Sequence, residues 1–126
     1  MVVDTSIVLA VFFNEKHGPW AADRLRENSA RLLMSTVNYA EVMILLRDRQ
    51  PHLLEELRQA LDASPVRLVS PTRMHAEIAA SARLEYPLNL GDCFAYALAK
   101  AEDCPVLTLD RGFRKTDVPV IFPESA

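Results

Sequence analysis

The residue pattern predicts an α/β fold: a central, mostly parallel sheet of about five strands flanked by helices on both faces. Two observations predict it. Short apolar runs alternate with longer stretches of helical periodicity from one end of the chain to the other. No repeat, low-complexity tract or Pro/Gly/Ser-rich linker divides the sequence, and half of its 126 residues are apolar, enough for one core. A single domain over residues 1–126 is the expectation.

The elements follow in order. Met1 to Asp4 reads as a strand, and Thr5 to Phe13 as a short helix leaving its carboxyl end. Pro19 to Glu27 is a second helix, with Trp20 and Leu25 turned inward. Arg31 to Ser35 is the next strand; Ser35 or Thr36 then caps a helix reaching Arg49 by accepting a free backbone N–H. Pro51 suits the first turn of a helix that ends near Ser64-Pro65. Val66 to Val69 is a third strand, and Thr72 to Glu85 a helix. Tyr86 to Leu90 connects to a small-residue helix from Gly91 to Glu102. Pro105 to Leu109 and Val118 to Phe122 close the sheet.

Composition excludes several classes. The longest apolar stretches are interrupted by Asn14, Glu41 or prolines well short of a membrane span, and no basic leader precedes the opening apolar run. Cys93 and Cys104 are too few and too far apart for a zinc knuckle or redox pair, so they read as reduced, mostly buried thiols of a cytoplasmic protein. A net charge of −3 argues against a general nucleic-acid coat. It leaves metal-assisted cleavage open, because bound cations reverse the local field.

Four carboxylates carry the chemistry: Asp4, Glu41, Asp92 and Asp110. Sites in open parallel sheets lie beyond the carboxyl ends of the strands, which is where Asp4 and Asp110 fall. Asp4 has a structural alternative as a helix N-cap, a role that Thr5 or Ser6 fills equally well. Glu41 shares a helix face with Val37, Ala40, Ile44 and Leu45, so it either pairs with an arginine or lines a cleft. Asp92 suits a helix N-terminus on macrodipole grounds, yet Cys93, Ala95, Ala97 and Ala99 let that helix approach the sheet closely. Asp110 alone is an ordinary turn residue; in company it is a fourth acid. Carboxylates gathered in one cleft call for a divalent cation, and oxygen ligands select Mg²⁺ or Mn²⁺.

Other polar residues carry less. Thr5 and Ser6 can hold a water or a phosphate, or merely cap the helix. Asn38, one turn before Glu41, can orient it or touch substrate. Arg111, Arg114 and Lys115 can grip substrate phosphates or form a solvated basic loop. Asp117 reads as a turn, and His17, His52 and His75 as scattered surface histidines without ligand spacing. No glycine-rich phosphate loop, Ser-His-Asp set or dinucleotide fingerprint is present.

Four segments together resemble the PIN-domain family, most closely its VapC-type toxin ribonucleases. They are Val2-Val3-Asp4-Thr5-Ser6, Ser35 through Glu41-Val42, Leu90-Gly91-Asp92-Cys93-Phe94-Ala95-Tyr96-Ala97, and Leu107-Thr108-Leu109-Asp110-Arg111-Gly112-Phe113. They span nearly the whole chain in the family's order, and the family's four acids fall on Asp4, Glu41, Asp92 and Asp110. The resemblance implies a PIN-like fold and a Mg²⁺- or Mn²⁺-dependent endoribonuclease. It also implies a homodimer held inactive by a cognate VapB-type antitoxin. Asp4 and Asp92 would hold the principal cation, with Glu41 and Asp110 completing the ring directly or through water. Water attacking in line leaves a 5′-phosphate and needs no ribose 2′-OH, so RNA selectivity would come from groove shape.

The alternatives are weaker. A receiver domain wants a second acid beside the first strand's Asp, and a haloacid-dehalogenase-like phosphatase wants an Asp where Ser6 stands. A catalytically weak PIN module that only binds RNA or protein is disfavoured by four intact acids. The helical stretches around Val42-Met43, Leu45-Leu46 and Leu53-Leu54-Leu57 carry more apolar surface than one small core needs, which suggests an interface.

Overall fold

A computed structural model describes residues 1–124. The strands are β1 (Val2–Val3), β2 (Leu33–Ser35), β3 (Arg67–Val69), β4 (Val106–Leu107) and β5 (Val120–Ile121). The helices are α1 (Thr5–Phe12), α2 (Gly18–Glu27), α3 (Thr36–Arg49), α4 (Leu54–Ala63), α5 (Arg73–Glu85) and α6 (Leu90–Glu102). The sheet runs β3-β2-β1-β4-β5, and every pairing among the described residues is parallel.

Strand periodicity divides the core. Val2 and Val106 point to one face, where they pack with α6 residues Cys93, Ala95, Tyr96 and Ala99 and with Ala79 and Ala82 of α5. Val3 and Leu107 point to the other, against Ile7 of α1 and Ala21 of α2. On that same face Met34 packs with Val42 and Leu46 of α3 and Leu57 of α4. Small residues on α6 allow it to lie almost wholly buried: Ala95 and Ala97 are fully so. Helices therefore cover both faces, as the alternation of runs predicts.

The differences from expectation have local causes. Arg31 belongs to a 3₁₀ turn (Ser29–Arg31), so β2 begins later. A 3₁₀ turn also covers Pro51–Leu53 ahead of α4. β4 ends at Leu107: Thr108 N still donates to the Ile121 carbonyl at 3.1 Å, but Leu109 N turns to Ser6 Oγ at 2.9 Å and Asp110 N to Thr108 Oγ1 at 2.9 Å. The helix expected from Gly91 starts at Leu90, since Asn89 caps it: its side chain accepts from Asp92 N at 2.8 Å while Asp92 Oδ2 accepts from Asn89 N at 3.2 Å. The Asn-x-x-Asp spacing was a legible signal for this capping box.

One expectation is corrected outright. His75 is not a surface histidine; it is buried, and its Nδ1 accepts from Thr72 N at 3.0 Å in a second capping box that starts α5. The leucine-rich stretches contribute to the core while Met43, Leu45, Leu53 and Leu54 stay half-buried. Val42, Leu46 and Leu57 are buried, and Met43, Leu53 and Leu54 pack against them. The large apolar side chains that do face solvent include Ile44 and Leu90, 60% and 70% exposed. Both cysteines are free, Cys93 buried and Cys104 half-buried. Among the described residues no helix is long and apolar enough to cross a membrane.

Candidate metal centre

The chain leaves β1 for β2 on one side and later returns to place β4 on the other, so the carboxyl ends of β1 and β4 bound a crevice where the strand order reverses. Asp4 follows β1 directly. It stands at the N-cap of α1 but makes no capping hydrogen bond, which leaves its carboxylate for other partners. Ser6 Oγ and Thr108 Oγ1 each donate to Asp4 Oδ2 at 2.8 Å. Both hydroxyls thus load one oxygen. The other, Oδ1, is buried without any hydrogen-bond partner. A buried carboxylate oxygen left bare is costly, and a cation is the ligand that would offset the cost.

Asp92 sits in the first turn of α6, and Asp110 follows β4 with its Oδ1 accepting from Gly112 N at 2.8 Å. Three carboxylates then share one field. Burial raises Asp4 to about 6, with the charge of Asp110 adding to it and the Ser6 and Thr108 hydroxyls opposing. Asp92 is pushed up to about 8, first by burial and then by the charges of Asp4 and Asp110. Asp4 and Asp92 are thus each harder to ionise beside the charge of Asp110.

Glu41 joins through a different route. It forms no ion pair with any arginine among the described residues; instead Thr5 Oγ1 donates to its Oε1 at 2.6 Å. Its carboxylate lies flat against Gly91, where an added Cβ would come within 2.5 Å of Oε1. Only glycine permits this approach, and Gly91 adjoins Asp92. Glu41 also borders an apolar groove of about 510 Å³ lined by Val37, Ala40, Ile44, Leu45 and Leu90.

Residues 1–119 match the PIN domain family. The chain belongs to it. A Ribonuclease VapC from Mycolicibacterium smegmatis is 35% identical over 96% of this chain and 99% of its own length. Ribonuclease VapC30 from Mycobacterium tuberculosis is 32% identical over 96% of this chain and 98% of its own. Among solved structures, M. tuberculosis VapC20, described as a sarcin-ricin loop cleaving toxin, superimposes with a TM-score of 0.80 at 18% identity, covering 93% of this chain and 95% of that one. The chain is therefore a PIN domain of the VapC type, and the PIN-like fold expected from the sequence is the fold it has.

Within this PIN domain the four acids expected from the sequence lie around one crevice, three through their mutual charge and Glu41 through Thr5 and Gly91. Among the described residues no three His, Cys, Asp or Glu side chains converge as a ready-made metal cage. A Mg²⁺-type ion does not need one: it binds through one or two carboxylates and retains waters. The bare Oδ1 of Asp4 beside two repelling acids fits such an ion.

Thr5 and Ser6 are also brought to the site as partners of the acids, and Asn38 reaches it through Thr5 and Gly91. Arg111 and Lys115 are exposed on the 3₁₀ turn after Asp110, while Arg114 lies over the Phe122 ring at 5.2 Å from its centroid. Asp117 turns away, accepting from Tyr96 at 2.6 Å and Lys100 at 2.9 Å. Sequence reasoning missed Thr108 as a partner of Asp4. Its only signal was its place two residues before Asp110.

Proposed function

We propose that this PIN domain is a Mg²⁺- or Mn²⁺-dependent endoribonuclease, the toxin of a VapBC-type toxin–antitoxin pair. The observation that carries the metal reading is Asp4 Oδ1, buried and unpartnered near the carboxyl groups of Asp92 and Asp110. The ribonuclease reading is supported by the curated relatives at 30–35% identity that bear that name over nearly the whole chain.

Asp4 and Asp92 are the ligands in this reading, with Glu41 and Asp110 reaching the ion directly or through water. The ion, when bound, supplies acidified water and compensation for charge on the phosphodiester oxygens. The protein supplies the rest. Ser6 and Thr108 hold Asp4 by one oxygen, so the other keeps a fixed direction. The Asn89 cap fixes the start of α6 and with it Asp92. The exposed Arg111 and Lys115 would meet phosphates of a passing strand and position RNA without reading its bases.

A second copy and a VapB-type antitoxin are the proposed protein partners. Solved neighbours of the same fold include a toxin–antitoxin complex from Klebsiella pneumoniae, with a TM-score of 0.78 at 22% identity over 95% of this chain. The test of the activity is incubation of total RNA with the protein and Mg²⁺, followed by mapping of new 5′ ends. Asp92→Asn should lower cleavage by at least about 100-fold, in line with losing a charge-stabilising group. Cleavage by that variant at the wild-type rate, or in excess chelator, would remove the mechanism.

A further inference from the structure

Asn38 is fully buried on α3, one turn before Glu41. Its Nδ2 donates to Thr5 Oγ1 at 3.1 Å and to the Gly91 carbonyl at 3.0 Å. Its Oδ1 is buried with no partner. The amide orientation is fixed by this surrounding: the reverse assignment would press Oδ1 against the Gly91 carbonyl, two acceptors face to face. An unpaired buried carbonyl is a standing cost of roughly 1–3 kcal/mol, which an apolar side chain of similar volume would avoid. Packing alone does not explain an asparagine here; its two donors do.

The effect of those donors passes through Thr5. A hydroxyl has one proton, and Thr5 Oγ1 already accepts from Asn38, so its own proton is turned toward an acceptor on the far side. Two are in reach. Glu41 Oε1 lies at 2.6 Å and the Asn38 backbone carbonyl at 3.4 Å, so the carboxylate wins on distance and on charge. The Gly91 carbonyl anchors the other amide hydrogen, which stops Asn38 from rotating.

We infer that Asn38 is a positioning residue of the cation site: it directs the Thr5 hydroxyl onto Glu41 and so sets where that carboxylate stands beside Gly91 and Asp92. Asn38 itself touches neither ion nor RNA. The inference rests on the proposed cation site, and it places Thr5 as a relay.

The test is calorimetric titration of the full chain with Mn²⁺ in the absence of RNA, arranged as a double-mutant cycle. Asn38→Ala should weaken Mn²⁺ binding by roughly tenfold, the lower end of what a supporting partner of a metal ligand contributes. The same substitution made on Glu41→Ala should weaken it by less than about twofold, because the relay then has no endpoint. Thr5→Val, which keeps shape and removes the hydroxyl, should reproduce both results and serves the same cycle if Asn38→Ala does not fold. Unchanged affinity in both single variants overturns the inference, as does an equal loss with and without Glu41. Absence of Mn²⁺ binding by the wild-type chain removes the cation reading itself, a result distinct from wild-type binding that Asn38→Ala and Thr5→Val leave intact.

Discussion

Neutralising Asp4 should make the metal-free protein more tolerant of high pH. Folding raises this carboxyl from 3.8 to about 6, chiefly by burial. The folded state therefore binds the proton more tightly than the unfolded state. That preference contributes fully below the unfolded value of 3.8 and is lost as pH rises through about 6. A shift of this size corresponds to about 3 kcal/mol in total, of which roughly 1 kcal/mol falls between pH 5 and pH 8. Asp4→Asn removes the titration. Asparagine can turn its carbonyl to the Ser6 and Thr108 hydroxyls and its amide toward the position of Oδ1, near the other acids. Any constant cost of the new amide cancels when the same variant is compared at two pH values. Urea unfolding in chelator at pH 5 and pH 8 reads the effect directly. The wild type should lose at least about 1 kcal/mol more than Asp4→Asn over that interval. Added Mg²⁺ at pH 8 should restore the wild type and leave the variant unmoved. Equal pH slopes for the two proteins would refute the claim that burial holds this carboxyl near 6.

Further outcomes follow from the same geometry. Gly91→Ala puts a methyl within 2.5 Å of Glu41 Oε1, the far end of a flexible side chain; the fold should hold to within about 1 kcal/mol while Mn²⁺ affinity falls. A large loss of stability with unaltered metal affinity would mean that Gly91 serves packing only. Replacing Arg111 and Lys115 with Ala should lower the slope of log affinity against log salt by roughly 0.7 per lost phosphate contact, with the cleavage-site preference kept. An unchanged slope would put the RNA path elsewhere, and Arg114 is the poorer choice for this test because it lies over Phe122. Sedimentation at micromolar concentration should give a homodimer. A monomer that also forms no complex with its operon neighbour's product on co-expression would remove both proposed partners.

The sequence by itself determined the alternation of strands and helices, and hence a sheet with helices on both faces. It also placed Asp4 and Asp110 at strand ends, because an apolar run closing on a single acid is a local pattern. The Ser35 cap was legible for the same reason: Val37 N donates to Ser35 Oγ at 3.2 Å, two residues away. The small residues after Asp92 announced a helix that could lie close to the sheet, and it does. Strand ends were read less well, since a ladder stops where side chains offer the amides other acceptors, as Ser6 and Thr108 do beyond Leu107. Local periodicity could not tell that His75 would turn back to cap its own helix, nor that the leucines of α4 would find a place in the core. Only the tertiary structure decided how the acids are held. Thr108 donates to Asp4 across 104 positions of sequence because β1 and β4 are neighbours in the sheet, and strand order is written in no single stretch of residues. Gly91 looked like a helix start until the Glu41 carboxylate was found against it, and the route from Asn38 to Glu41 through Thr5 exists only once α1, α3 and α6 close around it. Long-range proximity raises the pKa of Asp92 and leaves one oxygen of Asp4 bare, and both effects arise from the field and burial that the folded chain creates.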